Sequence, residues 1–194
     1  ASNLYFSCLK RFDGGYASLS GLSLAAGVAI AQALEDCGVR GIGLKWPNDL
    51  VHGDAKLAGI LVELGGEFLG PCHAVIGVGV NVRMPRAVRA AIAQPVTDLE
   101  GICASATPSR NRLAAAMVAR LCTVLDEFAR AGFGAFVQDY ARRDALCGRA
   151  LRIEDPRGAF GGAGVGVDAR GALRVRTAAG ERSVDSAEVS VRPA

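Results

Sequence analysis

Lys45, Asn48, Asp49 and Lys56 fall within the stretch KWPNDLVHGDAKLAGILVE at residues 45–63, which gathers two ammonium groups, a carboxylate and an amide into a short length of chain. That set suits an anionic, phosphate-bearing ligand with a metal ion. A carboxylate at a strand end can hold Mg²⁺ through its oxygens. A neighbouring amide can donate to a phosphate oxygen. A lysine aimed into a cleft can hold a carboxylate against a phosphate and offset the charge that develops when one attacks the other. Each residue also has a plainer role open to it. Pro47-Asn48-Asp49 is ordinary turn sequence, in which Asx side chains cap their own backbone. Lys45 and Lys56 could be solvated flanks of strands.

A third group of candidates is Gly77-Val78-Gly79-Val80-Asn81. Glycine weakens a strand and often marks close approach of a ligand or another backbone. Gly77 and Gly79 share a face, and Asn81 lies on it at the strand end. The alternative is a crowded contact between sheet and helix. The spacing is not that of a dinucleotide fingerprint, and no helix follows at once. Neither His52, beside the Gly53-Asp54 turn and expected to be exposed, nor His73, expected at a strand start, falls in a serine-hydrolase order.

Strands are needed to bring these groups together, and the pattern supplies them. Residues 3–12 read as a strand, then Ala17–Asp36 as a helix whose stripe is Leu24, Val28, Ala31 and Leu34, ending at Gly38. Gly41–Trp46 is a strand broken by Pro47. Leu50–His52 and Lys56–Leu64 pair around Gly53-Asp54, and Ala74–Val82 is a further strand. Ala87–Ala93 is a weak helical segment, and Gly101–Ser109 reads as loop. Ser109 is the expected cap of a helix at Arg110–Arg130 with Leu113, Met117, Leu121, Leu125 and Phe128 inward. Phe133–Arg143 is a shorter helix. From Gly148 the texture changes to short strands, at Ala150–Glu154, Gly164–Val167, Ala172–Thr177, Ser183–Val184 and Glu188–Val191. Turns fall at Asp155–Gly158, Asp168–Gly171 and Ala179-Gly180, and the glycines at 161–164 read as turn chemistry. The expected fold is α+β, a mixed sheet packed with helices over residues 1–147, followed by a small barrel over 148–194.

The bulk composition is globular. The 194 residues are 51% hydrophobic and 21% charged, which provides enough apolar surface to offset chain entropy. A net charge of +3, scattered along the chain, argues against a nucleic-acid partner. No apolar run is long enough to span a bilayer. The six cysteines show no metal-ligand spacing, and a cytoplasmic setting with reduced thiols is expected. Exposed strand edges could pair two copies into a homodimer.

In their order and spacing, KWPND at Lys45–Asp49, KLAGILVE at Lys56–Glu63 and GVGVN at Gly77–Asn81 resemble the catalytic core of biotin–protein ligases. Residues 1–12 resemble the strand after that family's nucleotide-closing loop, Gly21–Leu24 resembles the start of its next helix, and residues 148–194 resemble its C-terminal SH3-like domain. The resemblance implies a fold like that of class II aminoacyl-tRNA synthetases and biotin ligases. It implies a two-step reaction: biotin is activated with ATP and Mg²⁺ to biotinyl-5′-AMP, then transferred to a lysine of a biotin carboxyl carrier protein, a subunit of acetyl-CoA carboxylase. Catalytic roles would fall to Lys56 and Lys45. Contacts to biotin or the adenylate would come from Trp46, Asn48, Lys56, Gly59, Gly77, Gly79 and Asn81, and metal binding from Asp49. Glu188 and Arg192 more distantly resemble positions facing the nucleotide. The family's Ser-Thr-Asn segment, its Arg-rich glycine loop and its DNA-binding helix-turn-helix do not occur in this sequence. The core is therefore expected to be incomplete at its N-terminus, with no repressor role. The alternatives are a catalytically impaired ligand-binding relative and an enzyme like the lipoate ligases.

Overall fold

The computed structural model describes residues 3–155, 158–185 and 190–193. Its first strand, β1 (Leu4–Phe12), alternates: Tyr5, Ser7, Leu9 and Arg11 are exposed while the residues between them face inward. The 3₁₀ turn Tyr16–Leu19 follows, and then helix α1 (Leu22–Asp36). Strands β2 (Ile42–Lys45), β3 (Asp49–His52), β4 (Ala55–Gly66) and β5 (Cys72–Val80) complete a sheet of order β1-β5-β4-β3-β2. Its named strands pair antiparallel throughout, and the mixed character expected of it is confined to two isolated parallel bridges, Leu44–Asp144 and Lys56–Val96.

The inner face of this sheet, from Leu50, Ala58 and Ile60 to Ile76, Val78 and Val80, is buried in one core with α1. The expected stripe of α1 is buried, but burial extends almost all round the helix, because α1 lies between the sheet and α4 (Arg110–Ala131). Its small alanines permit that close approach. The helix starts at Leu22 rather than Ala17. Gly21 sits at φ 80°, and a Cβ there would come within 2.6 Å of Phe133. In α4 the Ser109 hydroxyl accepts from the Arg112 amide at 3.3 Å, and the expected stripe is buried.

Two segments differ from expectation between β5 and the second sheet. After the short α2 (Arg86–Ala90), the stretch expected as loop holds α3 (Leu99–Cys103), capped by the Asp98 carboxylate. The helix expected at Phe133–Arg143 divides into a 3₁₀ turn, Phe133–Phe136, and α5 (Val137–Ala141).

The second sheet contains β6 (Ala150–Asp155), β7 (Gly158–Val167), β8 (Leu173–Thr177), β9 (Gly180–Val184) and β10 (Ser190–Pro193), in the order β10-β6-β7-β8-β9 and antiparallel. The glycine run at 161–164 lies inside β7, not in a turn. Side chains at Gly162 and Gly164 would meet the carbonyls of Arg176 and Leu146 at 2.6 and 2.4 Å, so these glycines permit close packing. Pro156 and Arg157 of one expected turn lie outside the described residues. Among the described residues no helix is long and apolar enough to cross a membrane.

Candidate functional site

The outer face of the first sheet carries the site. Cross-strand register places Lys45, Asp49, Gly59, Gly79 and Tyr5 in one row and Leu61, Gly77 and Ser7 in the next. Simple alternation would put Lys56 on the opposite face from Gly59. A β-bulge corrects this: Leu50 pairs with Ala58 and Val51 with Lys56, so Leu57 is the extra residue. Leu57 and Ala58 are both buried, and Lys56 emerges on the outer face. Bulges redirect side chains in this way beside functional sites.

The result is a cleft of about 550 Å³ whose walls include Lys56, Asn48, Tyr5, Ser7 and Leu61 and whose floor is Gly59, Gly77 and Gly79. The two β5 glycines face away from α1, so they are not the crowded sheet–helix contact. Gly79 lies under the Tyr5 ring, 3.2 Å from where its Cβ would stand. The nearest atom to a Cβ at Gly77 is 3.6 Å away, which leaves open floor. Lys56 Nζ stands 2.6 Å from Asp49 Oδ1 and over Gly59. This is a close ion contact rather than an aligned hydrogen bond: Asp49 Oδ1 is buried without a hydrogen-bond partner among the described residues.

The neighbouring backbone locks Lys56 in place. Its amide donates to Pro95 O at 2.9 Å, its carbonyl accepts from the Thr97 amide at 2.9 Å, and the Asn81 side-chain nitrogen donates to Thr97 O at 3.1 Å. Asn81 therefore secures the segment carrying Lys56, and it is not among the residues lining the cleft. Asp98 anchors the same segment. Its buried carboxylate accepts from the amides of Met84 and Gly101 and from Arg89, at 2.7, 2.8 and 2.7 Å. Burial pushes the Asp98 carboxyl upward, but these donors outweigh it and hold it below the usual carboxylate range. The residues around Pro95–Asp98 had no periodic signal. An Asp preceding Leu99-Glu100 was the one available sign, as a helix cap.

Asn48 donates to Ile60 O at 2.8 Å while its carbonyl accepts from the Ile60 amide, which fastens the start of β3 to β4. Trp46 is 1% exposed and follows a different course from the cleft residues. Its indole N–H donates to Gly171 O at 3.0 Å, and its ring borders a second cavity of about 310 Å³, shared with Asn48, Ser20 and Arg170. Lys45 faces outward beside Asp49 and lines a smaller cavity with it. His52 is half-buried rather than exposed, and neither histidine lines the cleft. Glu188 lies outside the described residues; Arg192 falls on β10, and its side chain lies outside the description. Among the described residues no three His, Cys, Asp or Glu side chains form a metal cluster. Tyr5, Ser7 and Leu61 of the cleft wall were not singled out from sequence, because nothing in their types distinguishes them from any strand surface.

Comparison with known proteins places the sequence and the fold in one family. Residues 2–81 match the Biotin/lipoate A/B protein ligase family and residues 146–192 match the Biotin protein ligase C terminal domain. The chain is 34% identical over 193 residues to the bifunctional ligase/repressor BirA of Salmonella typhimurium, covering all of this chain and 60% of that protein. It is 30% identical over 197 residues to the biotin–[acetyl-CoA-carboxylase] ligase of Paracoccus denitrificans, covering 97% of this chain and 80% of the relative. The structure of the Aquifex aeolicus biotin protein ligase in complex with biotin and ATP superposes with a TM-score of 0.83 at 25% identity, over all of this chain and 79% of that one. Several relatives are longer, and the chain spans about half to three-fifths of their length. With two family profiles matched at the two sheets, and a relative aligned over four-fifths of its own length, the chain belongs to the biotin protein ligase family.

Proposed function

We propose that this chain is an ATP-dependent biotin–[acetyl-CoA-carboxylase] ligase that forms biotinyl-5′-AMP and passes the biotinyl group to a lysine of a biotin carboxyl carrier protein, in the cytoplasm. The observation that carries this reading is the Lys56 ammonium, held over the glycine floor of the cleft and 2.6 Å from Asp49. When biotin's carboxylate attacks the α-phosphate of ATP, two anions must approach each other. A fixed lysine between them lowers their repulsion and stabilises the charge that builds on the phosphorus oxygens. Gly59, Gly77 and Gly79 leave space for the ligand to lie against the backbone. Lys45 adds positive charge from β2, Asn48 borders the cleft beside Lys56, and Asn81 holds the segment that carries the lysine. The carrier's amine then attacks the acyl carbon, and AMP departs.

Asp49 fits a magnesium ion in a limited sense. Among the described residues its buried Oδ1 has no hydrogen-bond partner, and magnesium is often held by one or two carboxylates together with substrate phosphates rather than by a protein cage. Asp49 would hold the ion, which would supply positive charge beside the phosphates, with Lys56 free to turn to the substrates. We further propose that residues 1–147 and 148–194 are two domains packed on one shared core, the first carrying the cleft.

Purified protein given ATP, Mg²⁺, labelled biotin and a carrier domain should release pyrophosphate and label the carrier. Lys56→Ala should abolish both while leaving the thermal melt in place. A wild-type protein that neither releases pyrophosphate nor labels the carrier would end the assignment.

A further inference from the structure

Helix α4 packs against the inner face of β1, and the contacts between them keep a common register. The Phe12 and Phe128 rings meet edge-on at a centroid distance of 6.3 Å, and Lys10 Nζ stands 2.5 Å from Asp126 Oδ1. The two elements therefore run in the same direction. One further step back is two residues along β1, roughly 6–7 Å, and one turn along α4, roughly 6 Å. That step arrives at Cys8 and Cys122. Cys8 is half-buried on the inner face beside Lys10, and Cys122 is exposed on the flank of α4 that carries Asp126 four residues on. The electrostatics place the two thiols as neighbours. Burial first and then Cys122 push the Cys8 thiol up, while Lys10 draws it down. Cys103, also half-buried, is raised by burial alone.

We propose that Cys8 and Cys122 are a redox-modification site, at which hydrogen peroxide joins the two sulfurs and ties β1 to α4. Cys122 is exposed and meets the peroxide first. Its sulfur attacks the peroxide, the O–O bond breaks, one water leaves and a sulfenic acid remains. The Cys8 sulfur then attacks the sulfur of that acid, the S–O bond breaks and a second water leaves. The two thiols have together lost two electrons and two protons, and one peroxide has become two waters. β1 is the edge strand of its sheet and pairs only with β5 among the described strands, so a shift toward α4 disturbs one ladder. Tyr5 and Ser7 of the cleft wall project from the opposite face of the same strand. Closing the pair draws them back from the cleft. The effect on the cleft rests on the function proposed above, whereas the sulfur–sulfur bond does not.

Peptide mapping of the full chain after treatment with hydrogen peroxide tests the bond. The tryptic peptides carrying Cys8 and Cys122 should appear linked within one chain and should separate again in dithiothreitol. Cys8→Ser should instead accumulate a sulfenic acid at Cys122 that dimedone traps, because nothing resolves it. Absence of the linked peptide, a link between two chains, or dimedone capture at Cys122 as strong in the wild type as in Cys8→Ser overturns the proposal. In the pyrophosphate-release assay the linked protein should show a severalfold higher KM for biotin, reversed by dithiothreitol, and Cys122→Ser should show the reduced wild-type value with or without peroxide. An unchanged KM in the linked protein, or the same rise in Cys122→Ser, overturns the effect on the cleft. Should the reduced wild type release no pyrophosphate, the activity proposed above fails while the linked peptide still decides on the bond. Should Cys8→Ser not fold, the wild type and Cys122→Ser decide.

Discussion

The smallest residue in the site makes the sharpest test of how Lys56 is placed. A Cβ at Gly59 would stand 3.3 Å from Lys56 Cε and Nζ and 3.6 Å from Asp49 Oδ1. The crowded atoms are the far end of a flexible chain, so Gly59→Ala should be absorbed by moving the ammonium, not the sheet. We expect stability to change by no more than about 1 kcal/mol in urea titration. We expect pyrophosphate release to fall about tenfold or more, since a displacement near 1 Å can cost two orders of magnitude in rate. Gly77→Ala is the contrast, because its nearest neighbour is 3.6 Å away. There the methyl should intrude on the cleft floor, raising KM for biotin with less effect on kcat. Equal behaviour of the two variants would show that the position of Lys56 is not what Gly59 protects. That Lys56, Asn48 and Asp49 lie together was legible from residue types and spacing. The dependence of Lys56 on Gly59 was not, because alternation along β4 puts the two on opposite faces until the bulge at Leu57 is known.

At the scale of elements, most strands and the long helices could be read in advance because they carry a period. β1, β5, α1 and α4 bury the faces their patterns mark. The segment from Met84 to Gly101 carries only the weak helical signal at Ala87–Ala93, yet it holds the backbone of Lys56 through Pro95 and Thr97. Its organising group is Asp98, and acid should reveal this. The folded Asp98 carboxyl lies below its unfolded value, which is near 3.9. It therefore contributes stability that is fully present above the unfolded value and is lost as pH falls through the folded one. Asp98→Asn removes that contribution and leaves Arg89 without its partner, so it should cost about 2–3 kcal/mol at pH 7. The variant should also lose less stability than the wild type between about pH 5 and pH 2. Asp144 has the opposite sign. Burial raises its carboxyl, so it favours the folded state as pH falls, but it does so in both proteins and cancels from the comparison. Urea midpoints measured at both pH values would decide. Parallel pH curves would mean that Asp98 is not the titrating group.

At the scale of the whole molecule, the change of texture near Gly148 marked a second sheet, but nothing in it could show that its turns reach the corner beside the cleft. Trp46 and Gly171 are 125 residues apart, and no periodic pattern links them. The structure joins them through the indole–carbonyl bond, with Ser20 Oγ donating to Arg170 O at 2.7 Å beside it. Gly171 and Gly21, at φ 84° and 80°, lie against each other, and a Cβ at Gly171 would come 2.8 Å from Gly21 Cα. That contact is backbone against backbone, so Gly171→Ala cannot be absorbed by a rotamer change. The positive φ adds strain of its own. The Asp168–Ala172 turn should lift from the Trp46-Pro47 corner while β7 and β8 keep their pairing. Calorimetry is expected to show one transition in the wild type, whose buried residues form one continuous core, and two in Gly171→Ala. Trp46→Phe keeps a large ring and deletes only the donor. It should leave a single transition, at a cost of about 1–3 kcal/mol for the stranded carbonyl. Both variants loosen the corner from which Asn48 and Asp49 project, so both should raise KM for ATP, Gly171→Ala more than Trp46→Phe. A Gly171→Ala protein that melts in one step with an unchanged KM would mean that the second sheet only covers the core and does not hold the corner of the cleft.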